Sequence, residues 1–120
     1  MYVRGIIYGV RGEMRLPTVR DTYMSDYELT EQEVKSLLEY CRAAGTREQD
    51  IILKAAQIAD ASISIPILVN LTSGVGYDRL SMWYEIPMQR KDFQGYRRKA
   101  LKVLNDLIKL HEVTDLRLKK

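Results

Sequence analysis

The sequence predicts an all-α protein of about five helices, with a helix-turn-helix in its C-terminal half and a poorly structured N-terminal arm. Hydrophobic residues make up 46% and charged residues 29% of the 120 residues, which is typical of one globular domain. After position 30, apolar residues recur at helical spacing. Capping and stop signals divide this part of the chain into helix-sized segments.

The first 28 residues are predicted to form a separate region. They show no clean period, and the glycines at 5 and 9 weaken a strand. We therefore expect an arm at residues 1–28 and a single helical domain at 29–120, with the helix-turn-helix within 75–110. Residues 1–20 carry four arginines and one glutamate, and an arm of this charge is suited to a groove of DNA.

Two helices are predicted between residues 30 and 60. Thr30 and Glu33 have the spacing of a capping box, and Gly45 is a stop signal for the first helix. Residues 46–49 repeat the box at the start of the second helix. Its apolar stripe consists of Ile51, Ile52, Ala55, Ile58 and Ala59.

Three further helices are predicted: from near Ser64 to a stop at Gly74, over residues 77–84, and from about Arg90 to Leu110. Residues 85–88, which include Pro87, are predicted to be a turn. We expect Trp83 to be mostly buried between the fourth and fifth helices, beside Leu80 and Phe93.

The last helix separates a core face from a basic face on a helical wheel. The basic face, opposite Phe93, carries Lys91, Arg98, Lys102 and Lys109. Gly95 is predicted on the same exposed side, although glycine within a helix costs about 1 kcal/mol relative to alanine. Close approach of another backbone, either a phosphate chain or a partner helix, would explain a glycine there. Tolerated glycines and lysine-rich faces also occur on helices that bind nothing.

Charge is unevenly distributed along the chain. Residues 21–60 carry nine acidic and four basic residues, whereas residues 88–120 carry ten basic and four acidic residues. This asymmetry favours a basic face for a polyanion and an acidic face with another role, against the alternative of ordinary surface charge.

A family resemblance lies in the same region. It rests on YDRL at 77–80, WYEIP at 83–87 and YRRKALKVL at 96–104. These runs resemble the region-four helix-turn-helix of sigma factors, and more closely the small phage-encoded, sigma-like regulators of the ArpU and RinA types, with a longer turn. The resemblance implies a transcription regulator that places the helix near 90–110 in the major groove.

DNA contacts are assigned from this reading and from side-chain chemistry. The first turns of the helix are predicted to contact base edges, through Gln89, Arg90, Lys91 and Gln94. Contacts with phosphates are predicted for Arg97, Arg98 and Lys102.

The predicted function is therefore a DNA-binding transcriptional regulator of phage or mobile-element type. Its expected partner is double-stranded DNA, with RNA polymerase and a second copy of the chain as further candidates. The alternative is a helical protein-interaction or phage structural module that does not bind DNA. RNA binding is a third option, which no RNA-recognition motif supports.

Catalysis, a cofactor and a metal site are not expected. His111 and Cys41 are the only residues of their types, and Gly74 and Gly76 do not form a phosphate-binding motif. Cys41 is expected to be a small buried apolar residue. No apolar run approaches the roughly 18 residues of a membrane span, so we expect a cytoplasmic protein.

Overall fold

The computed structural model describes residues 24–118, and this part of the chain is all-α. A short 3-10 helix, Met24–Tyr27, precedes the first α-helix, and another, Ala61–Ile63, connects the second to the third. The five α-helices are α1 (Glu31–Arg42), α2 (Thr46–Ala59), α3 (Ser64–Ser73), α4 (Tyr77–Trp83) and α5 (Arg90–Leu118). The all-α prediction of about five helices is confirmed.

The predicted N-terminal arm lies mostly outside the described residues. Its last part has regular structure, because residues 24–27 form the 3-10 helix and Met24 and Tyr27 pack against the core. Leu29 is buried with 6% of its surface exposed. The described part of the predicted arm therefore packs against the helical core.

Helix α1 begins as the capping box predicts. The Thr30 hydroxyl accepts a hydrogen bond from the Glu33 backbone N–H at 3.1 Å, and the Glu33 carboxylate accepts one from the Thr30 N–H at 2.9 Å. The hydrogen bond from the Thr30 backbone lowers the pKa of Glu33. At α2 the box is shifted by one residue, because Gly45 is the cap and its N–H donates to Glu48 Oε1 at 3.0 Å.

Helix α3 ends at Gly74, as predicted. Gly74 adopts a left-handed conformation with φ of 83°, and its N–H donates to the Asn70 carbonyl at 2.8 Å. Few residues other than glycine adopt this conformation without strain, which explains the residue at this position.

The core lies mainly between α2 and α5, the two helices with the most extensive mutual packing. We call this region the α2–α5 seam. The buried apolar residues of the two helices are Ile52, Ala55, Ala56 and Ala59 of α2, and Phe93, Ala100, Leu101 and Leu104 of α5. Alanines on both helices let the two backbones approach closely.

The predicted burial of Trp83 is wrong, because 57% of this residue is exposed. Leu80 and Phe93 are fully buried, as expected. The space beside Phe93 is occupied by Tyr77, whose ring meets the Phe93 ring edge-on with centroids 5.5 Å apart. Trp83 is the last residue of a seven-residue helix and lies outside that contact.

The predicted exposure of Gly95 is also wrong, because Gly95 is buried within the chain. Arg98 and Lys102, on the predicted basic face, are half-buried, whereas Lys91 and Lys109 are exposed. Helix α5 is covered over a wider arc than a two-sided wheel allows, since α1, α2, α4 and the first 3-10 helix all contact it. Helix α5 also continues eight residues beyond the predicted end at Leu110.

Candidate nucleic-acid interface

Helix α4, the turn after it and the start of α5 follow one another in the order that a helix-turn-helix requires. The turn is fixed from α4, because the Tyr77 hydroxyl donates to the Met88 carbonyl at 2.5 Å. Leu80 and Phe93 are buried in the same core cluster beneath the unit. An ion pair between Asp78 and Arg90 links the two helices at the surface.

The four residues predicted to contact bases lie together at the start of α5. Gln89, Arg90 and Lys91 are exposed, and Gln94 is half-buried. Arg90 and Gln94 border a polar depression whose opposite side is formed by the α3–α4 loop and by α4, from Ser73 to Arg79 together with Met82. The structure thus places a guanidinium and an amide side chain along one edge of this depression.

Arg97, predicted as a phosphate contact, lies in a different environment. It is half-buried, and its Nε donates to Asn70 Oδ1 at 2.5 Å. Burial lowers the pKa of Arg97, and the nearby charges of Arg42 and Arg98 act in the same direction. The Arg97 side chain therefore donates a hydrogen bond to another side chain of the protein, Asn70, in a half-buried position.

The other two predicted phosphate contacts, Arg98 and Lys102, are half-buried on α5. Lys102 Nζ forms an ion pair with Asp106 Oδ1 at 3.3 Å, one turn further along the helix. Partly exposed pairs at this spacing contribute only a few tenths of a kcal/mol, so Lys102 can exchange Asp106 for another anion at small cost.

Asn70 is the residue of this region that sequence reasoning missed. It is 7% exposed, and its Nδ2 donates to the Val75 carbonyl at 2.9 Å while its Oδ1 accepts from Arg97. A signal exists in the sequence, because Asn70 follows Ile67 by three residues and so falls on the apolar face of α3. A buried amide needs hydrogen-bond partners, which predicts polar neighbours.

A second surface feature lies on the outer side of α1. It is an apolar groove formed by Met24, Leu29, Val34, Leu38 and Ala43, with charged residues Glu31, Lys35, Glu39 and Arg42 at its edges. On α4, Met82 and Trp83 are also exposed, at 81% and 57%. The groove on α1 shares no lining residue with the polar depression beside α5, whereas Met82 borders that depression together with Arg90 and Gln94.

Cys41 is the one thiol of the chain, and it is buried. Burial raises the pKa of Cys41 to about 11, so its thiol is protonated near neutral pH. Among the described residues, no three of the types His, Cys, Asp and Glu are grouped as metal ligands would be. The helices in the described range are also too short or too polar to cross a membrane.

No family model, curated protein or solved structure gives a significant match to this chain.

Proposed function

We propose that this protein is a DNA-binding transcriptional regulator of the phage or mobile-element type, and that α5 enters the major groove. The observation that carries the proposal is the α4–turn–α5 unit, which is held by Tyr77, Leu80 and Phe93 while Gln89, Arg90 and Lys91 remain exposed. Rigid support beneath exposed amide and basic side chains is what reading of base edges requires.

In this proposal the first turns of α5 read sequence. Gln89 and Gln94 can form paired hydrogen bonds with adenine, and Arg90 with guanine. The exposed ion pair with Asp78 holds Arg90 at the edge of the turn, and such pairs contribute only about 0–1 kcal/mol. Arg90 can therefore exchange the carboxylate for a base. Arg98 and Lys102 are assigned to phosphates, which position the protein without reading sequence.

A partner protein or a second copy forms part of the proposal. A single small DNA-binding module buries roughly 600–1,000 Å² of protein surface, which limits affinity. The acidic segment at residues 21–60, with nine acidic and four basic residues, would face away from DNA. We assign to it a contact with RNA polymerase or with a second protomer.

A second candidate function is protein interaction without DNA binding, as a helical adaptor or phage accessory module. The apolar groove on α1 and the exposed Met82 and Trp83 favour it, since contiguous exposed apolar surface marks interaction sites. The two functions differ in their response to salt, because counterion release makes duplex binding fall steeply as salt rises.

Selection from a random pool of DNA duplexes tests the first function. We expect enrichment of a motif, and two half-sites in that motif would indicate a dimer. Binding of the enriched duplex is then measured over a range of salt concentrations. Lys91→Ala should relax preference at one or two base pairs by about 1–3 kcal/mol.

Lys54→Ala provides the matched control, since Lys54 is an exposed lysine of α2 and the substitution removes the same charge. This variant should bind the enriched duplex like the unmodified protein. If no motif is enriched, or if both variants lose the same affinity without a change of preference, sequence reading by α5 is refuted and the protein-interaction function is favoured.

A further inference from the structure

Asn70 connects three parts of the chain that are distant in sequence. Its side chain lies in the last turn of α3, accepts a hydrogen bond from Arg97 of α5, and donates one to Val75 in the loop before α4. With 7% of its surface exposed, Asn70 has little access to water that could replace either bond. We call residues 70–77 the α3–α4 junction.

A second arginine holds the same junction from the other side. Arg42, the last residue of α1, donates from Nε to the Leu71 carbonyl at 3.2 Å. Its guanidinium also lies over Gly74, where an added Cβ would be 2.7 Å from Arg42 Nη2. Two arginines from α1 and α5 therefore bind adjacent residues, Asn70 and Leu71, at the end of α3.

The bond to Asn70 limits what Arg97 can do elsewhere. Turning Arg97 toward a phosphate would leave the Oδ1 atom of a buried amide without its donor, and unpaired buried polar groups are costly. Arg97 lies within about 60° of Phe93 around α5, on the core side, whereas Lys91 lies nearly opposite Phe93. Within residues 24–118, no carboxylate forms an ion pair with Arg97.

We infer that Asn70 and Arg97 are positioning residues, which fix the α3–α4 junction and thereby the placement of α4 against the DNA-reading end of α5. This inference rests on the proposed function for its consequence in DNA binding. It changes one assigned role, because Arg97 then acts through Asn70 and Val75 and does not contact a phosphate.

The test compares Arg97→Gln, Asn70→Ala and the double variant by binding to the enriched duplex at several salt concentrations. Asn70→Ala removes no charge, so it cannot act through a lost phosphate contact. We expect each single variant to weaken binding about tenfold with an unchanged slope of log Kd against log salt, and the double variant to be no weaker than either. Arg98→Gln, the phosphate control, should lower the slope by about one.

Two results would overturn the inference. One is a slope lowered by about one in Arg97→Gln together with unchanged binding by Asn70→Ala, which would make Arg97 a phosphate contact. The other is unchanged binding by both variants, which would mean that the junction needs no such support. If Asn70→Ala does not fold, Asn70→Ser keeps a small polar group and is measured in its place.

Hydrogen exchange separates this inference from the proposed function. Both single variants should speed amide exchange in residues 75–80 by about tenfold or more, while exchange in residues 52–56 of α2 stays unchanged. If the unmodified protein binds no duplex but exchange changes in this way, the proposed function fails and the positioning of α4 stands. Unchanged exchange at residues 75–80 would refute the positioning role whether or not DNA binds.

Discussion

The α2–α5 seam and the α3–α4 junction are both interior regions, but they are built from different chemistry. The seam consists of buried aliphatic side chains, Phe93 and alanines. The junction is held by a buried amide and two arginines that bind its side chain and a backbone carbonyl. Apolar packing is non-directional and stabilises in proportion to the area buried, whereas hydrogen bonds fix a geometry. The seam therefore supplies most of the stability, and the junction fixes the placement of α4.

The largest expected effect lies in the seam. Ile52 is fully buried, so Ile52→Ala should lower the free energy of unfolding by about 2–5 kcal/mol through lost burial and the cavity left behind. Ile58 of the same helix is 54% exposed, and Ile58→Ala is the matched control with an expected loss of about 1 kcal/mol or less. Chemical denaturation measures both. Equal losses would contradict the assignment of stability to the seam.

The next effect lies at the junction. Gly74→Ala should lower the free energy of unfolding by about 1–3 kcal/mol, because φ is 83° and the new methyl meets the Arg42 guanidinium. Gly76→Ala is its control, since the Gly76 φ is −83° and no atom lies within 4 Å of the added carbon. That variant should be neutral or slightly stabilising. Thermal unfolding of the pair shows whether the backbone at Gly74 is constrained as described.

A smaller effect is expected outside both regions, at the start of α1. Thr30→Ala removes the acceptor for the Glu33 N–H and should cost about 1 kcal/mol of unfolding free energy. Thr30→Ser keeps a hydroxyl and should restore most of that loss. Urea denaturation distinguishes the variants, and a Ser variant as weak as the Ala variant would argue against capping by the hydroxyl.

The smallest effect is expected at Trp83, the last residue of α4, which lies outside both the seam and the junction. Trp83 is mostly exposed, so Trp83→Ala should change the free energy of unfolding by about 1 kcal/mol or less. The fluorescence of this tryptophan, the only one in the chain, should also resemble that of an indole in water. A loss of 3 kcal/mol or more, typical of buried aromatic truncations, would mean that Trp83 packs in solution.

Local signals predicted the helices well, because the groups that begin and end a helix lie close to it in sequence. Three such signals set boundaries that the structure shares to within a few residues: Thr30 with Glu33, Gly74, and Pro87 before Arg90. The end of α5 was missed, since no glycine or proline follows Leu110 to signal a stop.

The environment of individual side chains was harder to predict. A helical wheel assigns one buried face, but several elements contact α5, which explains the buried Gly95 and the half-buried Arg97. Their neighbours come from distant parts of the chain, as the 27-residue separation of Asn70 and Arg97 illustrates. The residues predicted to contact bases, at the start of α5, were easier to place together, because they are neighbours in sequence.

The buried Cys41 gives the molecule an internal reporter of opening. Its thiol is the only one among the 120 residues, and none of its surface is exposed. It lies in α1, close enough to Arg42 and Arg97 for both to affect its pKa. A thiol reagent can reach it only when α1 separates from the helices it packs on, so the rate of modification measures how often that separation occurs. The rate of Cys41 modification therefore reports local opening of α1, at a position next to the two arginines of the α3–α4 junction.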